Sequence, residues 1–221
     1  MGNRERIVLE GLRLFNEDGF DAVSTNHISK KLGISPGNLY YHFRNKEEIA
    51  FELYSRMTDE VRRNGVWDSP VTSAGVARMY VISLSIILRF RFVFADSASL
   101  MRANPSIASR HSESLSWATD RLIALFEELR ALGHFRRPDL PGSSVGRCAS
   151  TTAVVFVGWW QYLGAIYGEQ GATHGHLREG ARHAFSIIEP HLTDDFAKEV
   201  AAEIERIAAC GTIDGPPPEC L

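Results

Sequence analysis

Four cations and a run of hydrogen-bonding side chains stand close together near the N-terminus. Between Ala22 and Lys46 the chain carries Lys30, Lys31, Arg44 and Lys46 and no acid, with Asp21 and Glu47 bounding the stretch. Four cations without an acid give a local charge of +4, in a 221-residue chain whose 27 acids outnumber its 24 lysines and arginines. Among them stand Thr25, Asn26, Ser35, Asn38, Tyr40, Tyr41 and His42. Cationic side chains neutralise phosphates whatever the sequence, whereas amides and hydroxyls reach base edges. The chemistry on offer is recognition of a nucleic acid.

Other constellations offer less. His174, His176 and His183 have the residue type for a metal site, and 176 and 183 share a helix face, but no carboxylate or cysteine completes a ligand set. Cys148 has only Arg147 beside it in sequence, so a small buried thiol is the simpler reading than a redox sensor. Serines are plentiful, yet no Gly-x-Ser-x-Gly elbow and no Gly-rich phosphate loop occurs. The sequence therefore predicts no catalytic residue, no metal and no cofactor.

The elements that position the basic stretch are helices. Ile7, Val8, Leu12, Leu14 and Phe15 recur at helical spacing from Asn3 to Asp18, and Gly19 offers a stop. Ser24 or Thr25 caps a second helix, which buries Ile28 and Leu32 and ends at Gly33. Ser35-Pro36 is a cap followed by proline at the first helical position, opening a very short third helix through His42. Asn45 with Glu48 three residues on resembles a capping box for a fourth, carrying Ile49, Leu53, Tyr54 and Met57. Helix, tight turn at Gly33–Ser35 and helix is the arrangement that lays a second helix in the major groove.

The run from Thr25 to Lys46, above all Leu39-Tyr40-Tyr41-His42-Phe43 followed by Lys46, resembles the DNA-binding head of TetR-type transcriptional regulators, over about residues 3–63. The resemblance implies a homodimeric, ligand-responsive repressor whose C-terminal bodies hold the dimer contact and the effector pocket. Thr25, Tyr40, Tyr41, His42 and Lys46 match family positions that touch the DNA backbone or adjacent bases. Ser35 and Gly37 permit close approach, Asn38 suits a base edge, adenine by preference, and Asn26 reaches a base or a phosphate. Ile28, Leu32, Ile34, Leu39 and Phe43 are the small core of the head. For Tyr40 and Tyr41 plain packing is the competing reading. Where the family often has an acid near the end of the second helix, this chain has Lys30-Lys31.

Beyond the head, helices are expected at roughly 73–102, 105–132, 144–167, 175–191 and 193–210, with no alternating strand. The fold class is all-α: a helix-turn-helix head at 3–63, a helical ligand-binding and dimerisation domain at 64–210, and a disordered tail at 211–221. Asn64–Ser73, with Gly65 and Pro70, is the expected boundary. Val155, Trp159, Tyr162 and Ile166 form one apolar stripe of the 144–167 helix, and Phe156, Trp160, Leu163 and Tyr167 another, so this helix and 175–191, whose small face includes Ala181 and Ala184, are placed at a dimer interface. Met79, Ser83, Ile86, Phe90, Phe94, Trp117, Phe126, Phe156 and Trp159 would suit a small, largely apolar effector; an ordinary aromatic core is the alternative for each. Arg89 and Arg91 are expected in solvent.

Composition sets the outer limits. With 44% hydrophobic and 23% charged residues the chain can build a core. Three scattered cysteines suit a reducing cytosol. The apolar run Met79–Leu88 is about half the ~20 residues a membrane span needs, and no signal peptide is visible, so a cytoplasmic protein is expected. The partners are double-stranded DNA, as a pseudo-palindromic operator, a small-molecule effector, and a second copy of the chain. A DNA-binding regulator or architectural protein without an effector is the alternative, and an all-helical enzyme a remote one.

Overall fold

The computed structural model describes residues 1–64, 71–95, 97–136, 144–167 and 174–210. The expected boundary around Gly65 and Pro70, the tail from Gly211, and the side chains of His174, Cys210 and Cys220 lie outside them. Among the described residues every regular element is helical: α1 (Asn3–Asp18), α2 (Thr25–Leu32), α3 (Pro36–His42), α4 (Lys46–Asn64), α5 (Ser73–Arg89), α6 (Phe92–Ala95), α7 (Ser97–Ala103), α8 (Pro105–Ala131), α9 (Val145–Tyr167), α10 (His174–Phe185) and α11 (Asp194–Cys210). A single 3₁₀ turn at Glu189–His191 precedes α11. The chain divides into two compact units: 1–59 with 90–112, and 60–89 with the residues from 113 onward.

The first unit is built around α1 to α3. Ile7, Val8, Leu14, Phe15, Ile28, Leu39, Phe43, Ile49 and Leu53 are all buried. Leu32 and Ile34, expected in this core, are only half-buried, at the rim where α2 turns. Residues 90–112 close the unit: the Phe92 ring lies 5.3 Å from Phe15, and the Phe92 amide donates to Asn16 Oδ1 at 3.0 Å. That bond explains a departure from the sequence expectation. One helix was predicted over 73–102, but α5 stops at Arg89 and α6 and α7 follow separately. A backbone N–H captured by a distant side chain leaves the helical ladder, and no glycine or proline announces it.

In the second unit α5 is the central helix, packed against α9, α10 and α11. Every residue from Met79 to Leu88 is buried, as a helix apolar on all faces requires. Arg89, expected in solvent, is mostly buried in an ion pair with Glu60. The small face of α10 also departs from expectation. Ala181 and Ala184 are 0% exposed in the single chain, so they pack within the unit and are not free for a second copy. Gly180 shows how close that packing is, because a Cβ there would stand 2.5 Å from Leu84 Cδ2 and from Trp159 Nε1. The helix predicted over 175–191 ends at Phe185, and Pro190 sits in the 3₁₀ turn that replaces its last part.

Candidate nucleic-acid interface

Local chemistry sets the two helices and the angle between them. Ser24 is the residue that caps α2, its hydroxyl accepting from the His27 amide at 3.2 Å. Gly33 then takes φ 66°, in the left-handed region, and the Ile34 amide returns to the Ser29 carbonyl at 3.1 Å. A side chain at that φ is strained, so glycine is needed for the helix to end in this way. Ser35 Oγ caps α3 through the Asn38 amide at 3.2 Å, with Pro36 in the first turn. Asn45 Oδ1 accepts from the Glu48 amide at 2.9 Å, while Glu48 Oε2 reaches back to the Arg44 amide at 2.8 Å. This is the reciprocal capping pattern, displaced by one residue from the expected box. Each such cap is worth about 1 kcal/mol.

The face that results is open. Ser35, Gly37, Asn38, Tyr40 and Tyr41 are exposed, Tyr41 at 86% and Tyr40 at 50%. Plain packing is therefore not their role in the single chain. Tyr40 Oη lies 3.3 Å from Thr25 Oγ1, which brings the start of α2 to the middle of α3. The Tyr41 and His42 rings meet edge to face at 5.0 Å. Asn26 is exposed at the start of α2, as are Lys30 and Lys31 at its end. Beside α3 lies a cleft of about 310 Å³ whose lining includes Thr25, Tyr40, Arg44 and Lys46 together with the acids Asp21 and Glu47.

Two features escaped the sequence. Asn3 Nδ2 donates to Asn38 Oδ1 at 3.2 Å; Arg6 donates to Asn3 Oδ1 at 3.1 Å and to the Leu32 carbonyl at 3.1 Å. The first helix thus orients the proposed base-reading amide. No local signal could have found this, since the partners lie 35 residues apart. The position of α1 is fixed in turn by ion pairs to α4. Arg56 engages Glu5 at 2.7 Å and Glu52 at 3.0 Å, and Arg4 engages Glu52 at 2.9 Å. Arg56 holds the Glu5 carboxyl below its ordinary range, and Arg4 does the same for Glu52.

The second feature is Lys46. Its ammonium donates to the Phe20 carbonyl at 2.8 Å and the Asp21 carbonyl at 3.1 Å, over the Phe20 ring at 4.4 Å. A tether between the start of α4 and the turn before α2 is therefore part of its work, and one N–H of its three remains.

The residues read as an effector pocket fall in both units. Phe90 and Phe94 are buried in the first, and the Phe94 ring lies 6.4 Å from His111. The other seven belong to the second. Met79, Ser83, Ile86, Phe126, Phe156 and Trp159 are buried there, while Trp117 is half-buried under the Arg62 guanidinium, 5.2 Å from its ring. Trp159 Nε1 is committed to the His176 carbonyl at 3.0 Å, tying α9 to α10. His176 and His183 are ring partners of Tyr167 and Trp159. Burial pushes the Cys148 thiol up, so it is held as the neutral thiol. No helix among the described residues is long and apolar enough to cross a membrane.

Comparison with known proteins agrees with this geometry. Residues 68–200 match the TetR family of bacterial transcriptional repressors, and residues 7–53 match the bacterial regulatory proteins of the tetR family. An HTH-type transcriptional regulator of Staphylococcus aureus strain bovine RF122 is 43% identical over 54 residues, 24% of this chain and 29% of that protein. The match thus spans less than a third of that curated relative. A TetR-family transcriptional regulator from Marinobacter aquaeolei VT8 superimposes with a TM-score of 0.81 at 25% identity, over 93% of this chain and 98% of that one. A protein from Saccharomonospora viridis, solved in complex with choline, has the same fold, with a TM-score of 0.68 at 18% identity over 86% of this chain and 96% of its own.

Proposed function

Since the chain belongs to the TetR family and is a DNA-binding transcriptional regulator rather than an enzyme, we propose that it is a homodimeric repressor released from its operator by a small, largely apolar effector. One observation carries the reading: an acid-free, +4 stretch is folded into a helix-turn-helix whose short second helix presents Asn38, Tyr40 and Tyr41 to solvent.

In this proposal Thr25, Tyr40, Tyr41, His42 and Lys46 hold the DNA backbone. Ser35 and Gly37 allow close approach, and Asn38, with Asn26, reads base edges. Two copies present their α3 helices to successive major grooves, roughly 34–36 Å apart, which requires a pseudo-palindromic operator. The second copy docks through α9 and the outward side of α10. Val154, Tyr162 and Ile166 favour this, being 69%, 53% and 57% exposed in the single chain and spaced along one side of α9. We assign 3–63 to DNA binding and 64–210 to effector binding and dimerisation.

An effector must bind the DNA-incompetent state better than the competent one, because equal affinity would shift nothing. The protein from Saccharomonospora viridis was solved with choline; for this chain, control by a small molecule is proposed, with Met79, Ser83, Ile86, Trp117, Phe126, Phe156 and Trp159 as the region that receives it. The test is selection of duplexes from a random pool, followed by affinity measured against salt. A pseudo-palindromic consensus with a steep salt slope is expected; recovery of no consensus would overturn the proposal.

A further inference from the structure

Two histidines of α10 lie beside the exposed apolar stripe of α9. The His183 ring stands 5.2 Å from Trp159, which stacks in turn on Tyr162 at 5.5 Å. The His176 ring stacks on Tyr167 at 5.3 Å. Tyr162 and Tyr167 are 53% and 52% exposed, while His183 is exposed and His176 half-buried. Residues spaced as 176 and 183 share one face of a helix. Both imidazoles therefore line the seam of α9 and α10, where the second copy is proposed to dock. A two-fold contact sets a patch against its own copy, so each chain brings both imidazoles to it.

The charges around that seam decide what protonation does there. Helix α10 packs against α5, α9 and α11. From α9 the facing titratable groups are Tyr162 and Tyr167, and no acid, lysine or arginine occurs from Cys148 to Tyr167. From α11 Glu205 is engaged by Arg178 at 3.7 Å. From α5 the titratable group against α10 is Tyr80, buried beside Phe185. On α10 itself Arg182 is paired with Glu189 at 3.4 Å. Glu179 is exposed and stands one turn from each histidine. One carboxylate can compensate one imidazolium, not two.

We infer that His176 and His183 make the dimer contact sensitive to pH: neutral imidazoles pack in it, and protonated ones separate the two chains and so weaken operator binding. This rests on the proposed dimer through α9 and α10 and adds its regulation. Histidine is the side chain that changes charge between pH 5 and 8. An imidazolium enclosed in an apolar contact loses its hydration, and beyond Glu179 no acid offsets that loss. The stacks on Tyr167 and Trp159 are made within one chain and persist on separation, so they do not offset it either. The separated chain thus binds protons more readily than the dimer, and by linkage a fall in pH favours separation. Two separate chains on two half-sites lose the gain of being joined, so DNA affinity falls with the dimer.

The test is the dimer dissociation constant of the full chain, measured by sedimentation equilibrium at constant ionic strength from about pH 7.5 to about pH 6. The parent is compared with His176→Gln, His183→Gln and the double variant, with circular dichroism at each pH. The parent should weaken about tenfold or more across that range, and the double variant about threefold or less. His111 is present in every variant, so its own response is common to all. His183→Lys puts a permanent cation at an exposed position and should separate the chains already at neutral pH, with helix content intact. Affinity for a selected duplex should fall with pH in the parent more than in the double variant. The inference is overturned, and the dimer kept, if the parent's dissociation ignores pH or if the double variant responds equally. A His183→Lys dimer as tight as the parent's, or separation that occurs only with loss of helix, overturns it as well. Duplex affinity that stays constant while the parent separates overturns the link to DNA. A parent that is monomeric at about pH 7.5 overturns the proposed dimer itself, and this inference with it.

Discussion

Asn3 Nδ2 donates to Asn38 Oδ1 at 3.2 Å, joining the first turn of α1 to the first turn of α3. A side-chain amide held by one oxygen keeps its two N–H groups free, together with the second lone pair of that oxygen. Bidentate pairing with adenine needs one donor and one acceptor, so the geometry orients Asn38 without exhausting it. Asn38→Ala should relax preference at one base pair per half-site, by about 1–3 kcal/mol. Asn3→Ala should weaken binding less, without changing which base is preferred. Affinities for an operator and its single-base variants decide both; unaltered discrimination in Asn38→Ala would remove it from the reading surface.

Lys46 is tied to two carbonyls before any DNA arrives. Lys46→Ala should therefore lower the thermal midpoint, as the Phe20 and Asp21 carbonyls lose their donor. It should also lower affinity for all duplexes alike and reduce the salt slope by about one per half-site. The two effects are read separately, by thermal unfolding and by titration against salt. A lower midpoint with an unchanged slope would leave Lys46 a purely structural tether.

What could be read from the sequence was the local part. Ser24, Gly33, Ser35 and Pro36 are caps and stops whose meaning is carried by residue type, and they placed α2 and α3 to within a residue. The break after Arg89 could not be read in this way, since its cause is the Asn16 side chain, 76 positions from Phe92. The small residues of α10 were legible as a close-packing face, but sequence does not say against what. Ala184 meets its own chain. Arg89 likewise reads as a solvated end to an apolar helix, because its partner Glu60 is brought beside it only by the fold.

His111 ties the first unit to solution pH. Its Nδ1 lies 3.2 Å from Tyr54 Oη, and burial lowers its pKa below the ordinary 6.5. The unfolded chain then binds more protons than the folded one, so stability rises with pH across this window. The contribution is fully present above about pH 6.5 and is lost as pH falls through that value toward the depressed folded pKa, by at most about 1.4 kcal/mol per pH unit. Glu5 and Glu52 respond only lower, from about the ordinary carboxylate value of 4.5 downward. Urea unfolding at several values between pH 5 and 7.5 should show a slope in the parent and a shallower one in His111→Gln. Equal slopes would assign the effect to another group.

Gly180→Ala should be destabilising although alanine is the better helix former. The added methyl would stand 2.5 Å from Leu84 and Trp159, and Trp159 is itself pinned to the His176 carbonyl. Overpacking of this kind costs about 1–3 kcal/mol, more than the roughly 1 kcal/mol that helix propensity returns. A chemical-denaturation midpoint equal to the parent's would show that α10 can shift to make room.

The dimer prediction turns on the contrast between two helices. Val154, Tyr162 and Ile166 are more than half exposed on α9, and an apolar stripe left in water at such length calls for a partner surface. Ala184 on α10 is 0% exposed. Val154→Arg and Ile166→Arg put a charge at solvent-facing positions, so each should leave the single chain folded and prevent its pairing, since an unpaired guanidinium in an apolar contact loses hydration without compensation. Ala184→Arg should instead damage the fold itself, because the charge enters the core. Light scattering with circular dichroism on the three variants separates these outcomes. Helical monomers are expected from the two α9 variants, and loss of helix or aggregation from the third. Stable dimers of Val154→Arg and Ile166→Arg would exclude this stripe as the interface. A helical monomer of Ala184→Arg would return the small face of α10 to it.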